Sequence, residues 1–347
     1  MKIICLEEHT MDADIARASQ PAQTSEASYM AEWGSRVEDK PSAFADKRPH
    51  LVSPGEAAGA AREVGASRIA AMDQHGIDVQ VLSYSSPLQL APASQAIELA
   101  RAANDKLAAS VDANPERFAA FAILPWQEPA AAAEELERTV TQLGMVGTLL
   151  LGRPGQTFLD DARYEPVMAK LNELKVPIYL HPGFPLLQVR EPYYGGLDKE
   201  VAARLSMFGW GWHNEAGIQV IRIILSGKFD KYPALQVISG HWGEMVPFYL
   251  QRMDDTIPKE ATRLSRSITE TYKSHVYVTP SGMLNLPHFE FIHKVLGADR
   301  ILYSIDYPFL TLTGGRDFIE SLPISGRDKE KIAHGNAERL LGNSAFI

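Results

Sequence analysis

The feature that most constrains the fold is a regular alternation of short apolar runs with longer amphipathic stretches. Eight runs rich in β-branched or aromatic residues stand at 3–6, 79–83, 118–124, 147–151, 176–180, 235–240, 275–279 and 300–305. Amphipathic segments separate them, the clearest at 57–75, 94–113, 129–143 and 214–225. Nearly continuous apolar strands that alternate with helices are typical of parallel strands covered by helices. Eight such units predict an α/β fold of the (β/α)8, or TIM, barrel type.

The main structural competitor is a doubly wound open sheet. A nucleotide-binding sheet of that kind has a glycine-rich turn after its first strand, whereas Glu7-Glu8-His9 stand at that point in this chain. A length of 347 residues is compatible with a single barrel. We therefore predict one domain over 1–347, with a long first loop at about 10–55 that acts as a lid or an oligomer contact. A second excursion, at 182–211, also leaves from a strand end.

Composition narrows the classes of partner. The net charge is −9 and no basic cluster is present, which argues against nucleic acid or an anionic membrane as a partner. No run approaches the roughly 20 apolar residues of a membrane span, and the first residues lack the apolar core of a signal peptide. The single cysteine, Cys5, excludes an intrachain disulfide. These properties predict a cytoplasmic enzyme that acts on a small molecule.

Polar side chains follow four of the predicted strands. Glu7 and His9 come after the first run, His181 after the fifth, His241 after the sixth and Asp306 after the eighth. Barrel enzymes carry their catalytic residues at this face, and alternation along a strand puts Glu7 and His9 on one side. If Glu7, His9, His181 and Asp306 converge, they form a site for one Zn²⁺ or Mn²⁺ with an open position for substrate or water. His241 would then be free to act as an acid or base.

Several further residues are candidates for the same site. Glu244 follows His241 by three residues, and it could either orient the imidazole or complement the start of the next helix. Arg252 and Arg68 could each bind a substrate carboxylate, although arginines on helices are usually solvated. Phe309 could form an aromatic wall after Asp306. His213, which follows two tryptophans, could enter the pocket, although the tryptophans alone indicate packing residues.

Four motifs together resemble one branch of the amidohydrolase superfamily, the metal-dependent nonoxidative decarboxylases. They are LEEH at 6–9, YLHP at 179–182, GHWGE at 240–244 and SIDYPF at 304–309. The branch includes the γ-resorcylate, 2,3-dihydroxybenzoate and 5-carboxyvanillate decarboxylases, with the aminocarboxymuconate semialdehyde decarboxylases as relatives. The resemblance covers nearly the whole chain.

The resemblance implies a distorted (β/α)8 barrel that decarboxylates a small hydroxylated aromatic acid and assembles as a homodimer or homotetramer. It also implies residue roles: Glu7, His9, His181 and Asp306 as ligands of one Zn²⁺ or Mn²⁺, Asp306 as the proton donor to the substrate, His241 with Glu244 as a catalytic pair, and Arg252 as a substrate ligand.

Two departures from the family concern the pocket. Leu310-Thr311 stand where many benzoate decarboxylases have Glu-Asn, and Gln219 stands where a histidine is frequent.

Two other functions therefore stay open at this stage. One is a mononuclear hydrolase or hydratase of the same superfamily, acting on a small carboxylic acid or lactone with His241 as base. The other is a binding protein built on an inactive barrel.

Overall fold

The computed structural model describes residues 1–37 and 47–342. Its strands are parallel and pair in two runs, β1-β2-β3 and β4-β5-β6-β7. They are β1 (Ile4–Thr10), β2 (Val79–Tyr84), β3 (Phe118–Ala120), β4 (Thr148–Leu151), β5 (Ile178–His181), β6 (Val237–Ser239) and β7 (Val276–Val278).

Backbone hydrogen bonds join the two runs into a barrel. Ala122 forms a parallel bridge with Thr148, which links the end of β3 to β4. The eighth apolar run is bonded on both sides: Leu302 N donates to the Val278 carbonyl at 2.9 Å, and Leu6 N donates to the Tyr303 carbonyl at 3.0 Å. The predicted (β/α)8 barrel is thus confirmed. Its eighth position is held by a few hydrogen bonds instead of a full strand ladder, so the barrel is distorted.

Alternate residues of the strands build two separate apolar layers. One set fills the centre of the barrel and draws on nearly every strand, for example Ile4 and Leu6 of β1 and Tyr179 of β5. The other set, which includes Ile3 and Cys5, packs outward against the helices. This alternation is what parallel barrels require, because the interior is a packed core and the outer face must be covered.

A bulge in β1 decides which polar residues face inward. The register with β2 shifts between Cys5 and Glu8, so one extra residue lies on the β1 side. Ile4 and Leu6 point to the interior before the bulge, and Glu7 and His9 point there after it. Bulges re-aim side chains in this way next to active sites. The strand also continues to Thr10, so Glu7 and His9 lie within it and not beyond its end as the sequence suggested.

The helices lie between the strands, and their bounds differ from prediction at one notable place. The segment 57–75 is broken at Arg62–Gly65, where Gly65 is extended, so two helices form instead of one. No helix among the described residues is long and apolar enough to span a bilayer. The helices are Ala13–Glu26, Pro54–Ala61, Ala66–His75, Ala93–Ala113, Pro129–Gln142, Glu165–Leu174, Leu187–Tyr194, Lys199–Arg204, Gly211–Leu225, Lys228–Lys231, Val246–Thr256, Lys259–Thr262, Ile268–His275, Leu286–Leu296, Gly315–Ser321, Gly326–Glu330 and Asn336–Leu341.

The long segment after β1 is more ordered than a loop. It contains the helix Ala13–Glu26, whose N-terminus is capped by the Asp12 carboxylate, and residues 38–46 of it lie outside the described part of the chain. The segment packs against the second excursion: Trp33 stacks edge-on against Phe208 at 4.7 Å, and Arg190 lies over the ring of Tyr29 at 4.2 Å. The two excursions therefore form one layer. A role as lid or oligomer contact stays a prediction.

Candidate metal centre and active site

The four predicted metal ligands converge at the C-terminal end of the barrel interior. Ligand atoms of Glu7, His9, His181 and Asp306 all lie within 4.8 Å of one another. His9 Nε2 is 3.1 Å from Asp306 Oδ1, and His181 Nε2 is 3.4 Å from Glu7 Oε1. Glu7 and His9 are fully buried, whereas the Asp306 side chain is 16% exposed. Protein therefore encloses the cluster on the side of Glu7 and His9, and the cluster is partly open to solvent on the side of Asp306.

The unpartnered atoms of this cluster test whether it fits a metal ion. Glu7 Oε1, His9 Nε2 and Asp306 Oδ1 are buried, and they face one another and His181 without forming a hydrogen bond of suitable angle in the described protein. Burying such atoms unpaired is costly, and a divalent cation would satisfy all of them together. Two imidazoles and two carboxylates are a donor set suited to Zn²⁺ or Mn²⁺. The residues present fit one divalent metal ion.

Three hydroxyl groups hold the other oxygen of Glu7. Its Oε2 accepts hydrogen bonds from Tyr179 Oη at 2.6 Å, from Ser304 Oγ at 3.3 Å, and from Ser281 Oγ. Burial raises the pKa of Glu7, while the His241 charge lowers it and the Asp306 charge raises it. Because the hydroxyls occupy Oε2, Oε1 is the oxygen that faces the cluster. Partners of this kind orient metal ligands and strengthen metal binding.

His9 and His181, the two histidines of the cluster, are also oriented through their second nitrogen. His9 Nδ1 lies 3.2 Å from Ser83 Oγ, and His181 Nδ1 lies 2.8 Å from the Pro182 carbonyl. A carbonyl only accepts, so His181 Nδ1 carries the proton and Nε2 is left as a lone pair toward the cluster. Burial, followed by the charges of His9 and His241, holds the pKa of His181 well below its usual range. The imidazole is thus neutral, which is the form that binds metal.

Glu8, which stands between Glu7 and His9, anchors β1 on its outer side. Glu8 accepts hydrogen bonds from Ile305 N at 3.0 Å and from Gln80 Nε2 at 3.1 Å. Arg68 is 1% exposed, and its guanidinium donates to Gln80 Oε1, to the His9 carbonyl and to the Glu63 carbonyl. The structure therefore places Arg68 in a buried network beside the ligand strand. These contacts support a structural role, and substrate binding by Arg68 stays a prediction.

His241 and Glu244 lie in a turn with unusual backbone geometry. The residues from His241 to Met245 all have positive φ, between 47° and 85°. Left-handed conformations of this kind are costly for non-glycine residues and persist only where the surroundings stabilise them. Here His241 N donates to Ser281 Oγ at 2.8 Å, and Trp242 N donates to the Thr279 carbonyl at 2.8 Å. The turn brings His241 Nδ1 to 2.8 Å from Glu244 Oε1.

The contact between His241 and Glu244 supports the interpretation in which the carboxylate orients the imidazole, and this role stays a prediction. The Glu244 side chain is fully buried. Burial opposes a charge on His241, but Glu244, Glu7 and Asp306 outweigh burial and raise the pKa of His241 to about 9. Burial raises the pKa of Glu244, and the charges of His241 and His213 more than offset this and lower it. Without a bound metal, the pair is an imidazolium with a carboxylate.

Aromatic rings lie beside two residues of the cluster, whereas Arg252 is exposed to solvent. The Phe309 ring is 5.5 Å from the His9 ring, and the Trp212 ring is 5.7 Å from the His181 ring. Phe309 is held in place because its carbonyl accepts from Val52 N at 2.9 Å, next to an antiparallel bridge between the neighbouring residues 51 and 310. Arg252 is exposed on the helix Val246–Thr256. Its role as a substrate ligand stays a prediction.

Sequence reasoning missed the residues that support the ligands, although a signal for some of them was present. Tyr179 stands two positions before His181, and Ser304 stands two positions before Asp306. Alternation places Tyr179 and His181 on the same face of β5, whereas Asp306 has a positive φ and follows a run that forms no full strand, so only its sequence spacing relates it to Ser304. A polar residue two positions before a predicted metal ligand, inside an apolar run, therefore indicates a side chain that could hydrogen-bond to the residues of the metal site. Ser281 had no such signal, because it lies in a turn beyond β7, and no predicted ligand follows that strand.

Comparison with known proteins agrees with this geometry. Residues 44–342 match the amidohydrolase family. The chain belongs to the amidohydrolase family. Within the family it is similar to the decarboxylase orsB of Emericella nidulans, with 36% identity over 292 residues that cover 81% of this chain and 86% of the relative. It is also similar to a gamma-resorcylate decarboxylase of Polaromonas sp., with 38% identity over 79% of this chain and 86% of the relative.

A solved structure shows the same likeness in three dimensions. The dihydroxybenzoic acid decarboxylase of Polaromonas sp., crystallised with manganese and the inhibitor 2-nitroresorcinol, superposes with a TM-score of 0.82. The two sequences are 33% identical, and the match covers 99% of this chain and 97% of the other. The likeness thus extends over the complete barrel.

Proposed function

We infer that this member of the amidohydrolase family is a carboxy-lyase, a metal-dependent nonoxidative decarboxylase of a hydroxybenzoate-type acid. The observation that carries the inference is the four-ligand cluster with its unpartnered donor atoms, placed next to the His241 and Glu244 pair. The names of the relatives favour this activity over the hydrolase or hydratase alternative.

Glu7, His9, His181 and Asp306 would hold the metal ion. When bound, the cation supplies positive charge that binds the substrate carboxylate and ortho hydroxyl and stabilises negative charge in the transition state. The chain itself prepares this site: three hydroxyls fix Glu7, and the tautomer of His181 is set by the Pro182 carbonyl.

Asp306 is the proposed proton donor. Its carboxyl group is the exposed member of the cluster, so it can reach both the substrate and solvent. It delivers a proton to the ring carbon that carries the carboxylate, and a carbon–hydrogen bond forms there. The carbon–carbon bond to the carboxylate then breaks, carbon dioxide leaves, and its bonding electrons restore the aromatic ring. General acid catalysis of this kind contributes about 10²- to 10⁴-fold in rate.

His241 is proposed to act on the substrate hydroxyl. Its Nδ1 is engaged by Glu244, so Nε2 is the nitrogen available to donate to the phenolic oxygen. The negative charge on Glu244 raises the pKa of His241 and so favours the protonated imidazole, and the hydrogen bond aligns the ring. Phe309 would pack against the substrate ring, and Arg252 would bind a substrate carboxylate if the assembled enzyme brings it to a pocket.

A CO₂-release assay tests the proposal. Protein with a measured Zn²⁺ or Mn²⁺ content is incubated with a panel of hydroxybenzoates, before and after chelation. We expect chelator-sensitive CO₂ release with roughly one metal ion per chain. The Asp306→Asn variant, compared at equal metal content, should lose most turnover. A metal-filled enzyme that releases no CO₂ from any member, or an Asp306→Asn variant as active as wild type, would contradict the proposal.

We also propose that the protein is a cytoplasmic homodimer or homotetramer. A group of exposed aromatic rings supports an assembly: Phe248 is 67% exposed and lies 5.3 Å from the Tyr249 ring and 5.8 Å from the Phe291 ring. Contiguous exposed apolar groups of this kind are typical of protein contacts. Light scattering coupled to gel filtration would give the subunit number, and a monomer at micromolar concentration would contradict the assembly.

A further inference from the structure

His213 has no role in the mechanism above, yet it shares the Glu244 carboxylate with His241. His213 Nδ1 lies 2.9 Å from Glu244 Oε2, while His241 Nδ1 lies 2.8 Å from Oε1. The two imidazole rings are 4.4 Å apart. The Glu244 side chain is fully buried, whereas that of His213 is 19% exposed. Each oxygen of one buried carboxylate thus has its own histidine donor.

The surroundings of His213 keep its Nδ1 proton directed at Glu244. Trp212 Nε1 lies 3.0 Å from His213 Nε2 and can only donate, so it pairs with the neutral ring. The Phe208 carbonyl lies 3.1 Å from the same nitrogen and can only accept, so it pairs with the protonated ring. A partner for Nε2 exists in either charge state. In both states Nδ1 carries a proton and donates to Glu244.

The geometry of Glu244 explains why a second donor matters. The terminal torsion of a glutamate has a broad, shallow preference, so a single hydrogen bond leaves the carboxylate plane free to rotate. Glu244 also belongs to the left-handed turn, with a φ of 51°, and its position is set by that turn and not by a regular helix. With both oxygens bonded to imidazoles, the carboxylate plane is fixed.

We propose that His213 is a positioning residue, which holds one oxygen of Glu244 so that the other oxygen aims His241 Nε2 at the substrate. The inference rests on the function proposed above, since the reacting group is His241. A purely structural alternative exists, because the same contact also ties the helix Gly211–Leu225 to the turn. The two roles predict different results.

The test uses two substitutions at one position in the manganese-loaded enzyme. His213→Leu removes the donor, whereas His213→Asn keeps an amide N–H near the place of Nδ1. We expect His213→Leu to lower kcat about tenfold with KM within about twofold, and His213→Asn to recover most of kcat, at equal metal content and melting temperature. In a Glu244→Gln background, His213→Leu should cause no further loss, because residues that act through each other are not additive.

A measurement independent of activity completes the test. Imidazole protons that are hydrogen-bonded to a carboxylate resonate far downfield in proton NMR. The spectra are recorded on zinc-loaded enzyme, because paramagnetic Mn²⁺ would broaden these resonances, and Glu244→Gln identifies those of this pair by their loss. We expect the remaining His241 resonance to broaden or shift in His213→Leu and to return in His213→Asn. An unchanged His241 resonance, an unchanged kcat, or additive losses with Glu244→Gln would overturn the positioning role. If wild type releases no CO₂, the proposed function fails, while the NMR result still decides whether His213 orders the pair.

Discussion

Removing the hydroxyl of Tyr179 should weaken metal binding without removing a ligand. Tyr179 is fully buried, and its hydroxyl donates to Glu7 Oε2 at 2.6 Å. A hydrogen bond to a charged group contributes about 1.5–3 kcal/mol. Because Ser281 and Ser304 still donate to the same oxygen, we expect the lower end of that range for Tyr179→Phe. This corresponds to roughly tenfold weaker metal binding, at the low end of the effects known for such supporting residues.

The effect should also depend on pH. Burial already raises the pKa of Glu7, and the loss of a donor raises it further. A metal ion must displace the Glu7 proton when that carboxyl is protonated, so binding to Tyr179→Phe should weaken more steeply as the pH falls. We therefore expect a larger difference from wild type at about pH 6 than at about pH 8.

Metal affinity is measured by titration against a chelator of known strength, with metal content checked by elemental analysis. Tyr303→Phe is the matched control, because Tyr303 is also fully buried but donates to the Gly315 carbonyl, away from the ligands. Both variants should lose a similar, small amount of stability, and only Tyr179→Phe should lose metal affinity. Equal affinity of Tyr179→Phe and wild type, or an equal loss in Tyr303→Phe, would refute the reasoning.

Three further outcomes are expected. Glu244→Gln removes a charge that raises the pKa of His241. If loss of the His241 proton sets the decline of kcat at alkaline pH, that decline should begin at lower pH in the variant. A pH–rate profile with an unshifted alkaline limb would contradict this. Arg68→Met leaves the buried acceptors at Gln80, the His9 carbonyl and the Glu63 carbonyl without their donor and should cost about 3 kcal/mol in urea unfolding with little change in KM, whereas a raised KM at unchanged stability would favour substrate binding. Phe309→Ala removes the ring beside His9, so KM should rise several-fold in steady-state kinetics at constant metal content, and an unchanged KM would exclude Phe309 from the pocket.

The fold could be predicted from the sequence because its pattern is local and repeated. Each apolar run coincides with a strand or, at 300–305, with a segment bonded to both neighbours. The bounds were less accurate where tertiary contacts decide them. β1 continues through Glu7 to Thr10 because these polar side chains find buried partners, which no apolar pattern can indicate.

The convergence of Glu7, His9, His181 and Asp306 could also be predicted, since all four lie toward the C-terminal ends of the apolar runs that form the barrel. The supporting contacts could not be predicted in full. The left-handed turn at His241–Met245 is stabilised by Ser281 and Thr279, which are distant in sequence, and only Gly240 and Gly243 mark it. The resemblance implies a substrate contact for Arg252, but a sequence motif does not tell whether a helical arginine faces a pocket or solvent.

The backbone bonds around Phe309 have a consequence for altering substrate range. Residues 50–52 and 309–311 form a short two-stranded clasp, in which Val52 N donates to the Phe309 carbonyl at 2.9 Å and Thr311 N donates to the His50 carbonyl at 3.1 Å. Neither strip carries a metal ligand. The two segments should therefore be exchanged together when the substrate range is altered. Replacing both would change the residues beside His9 while the strands that carry Glu7, His9 and His181 keep their own hydrogen bonds. Replacing one segment alone would leave the backbone groups of the other without partners.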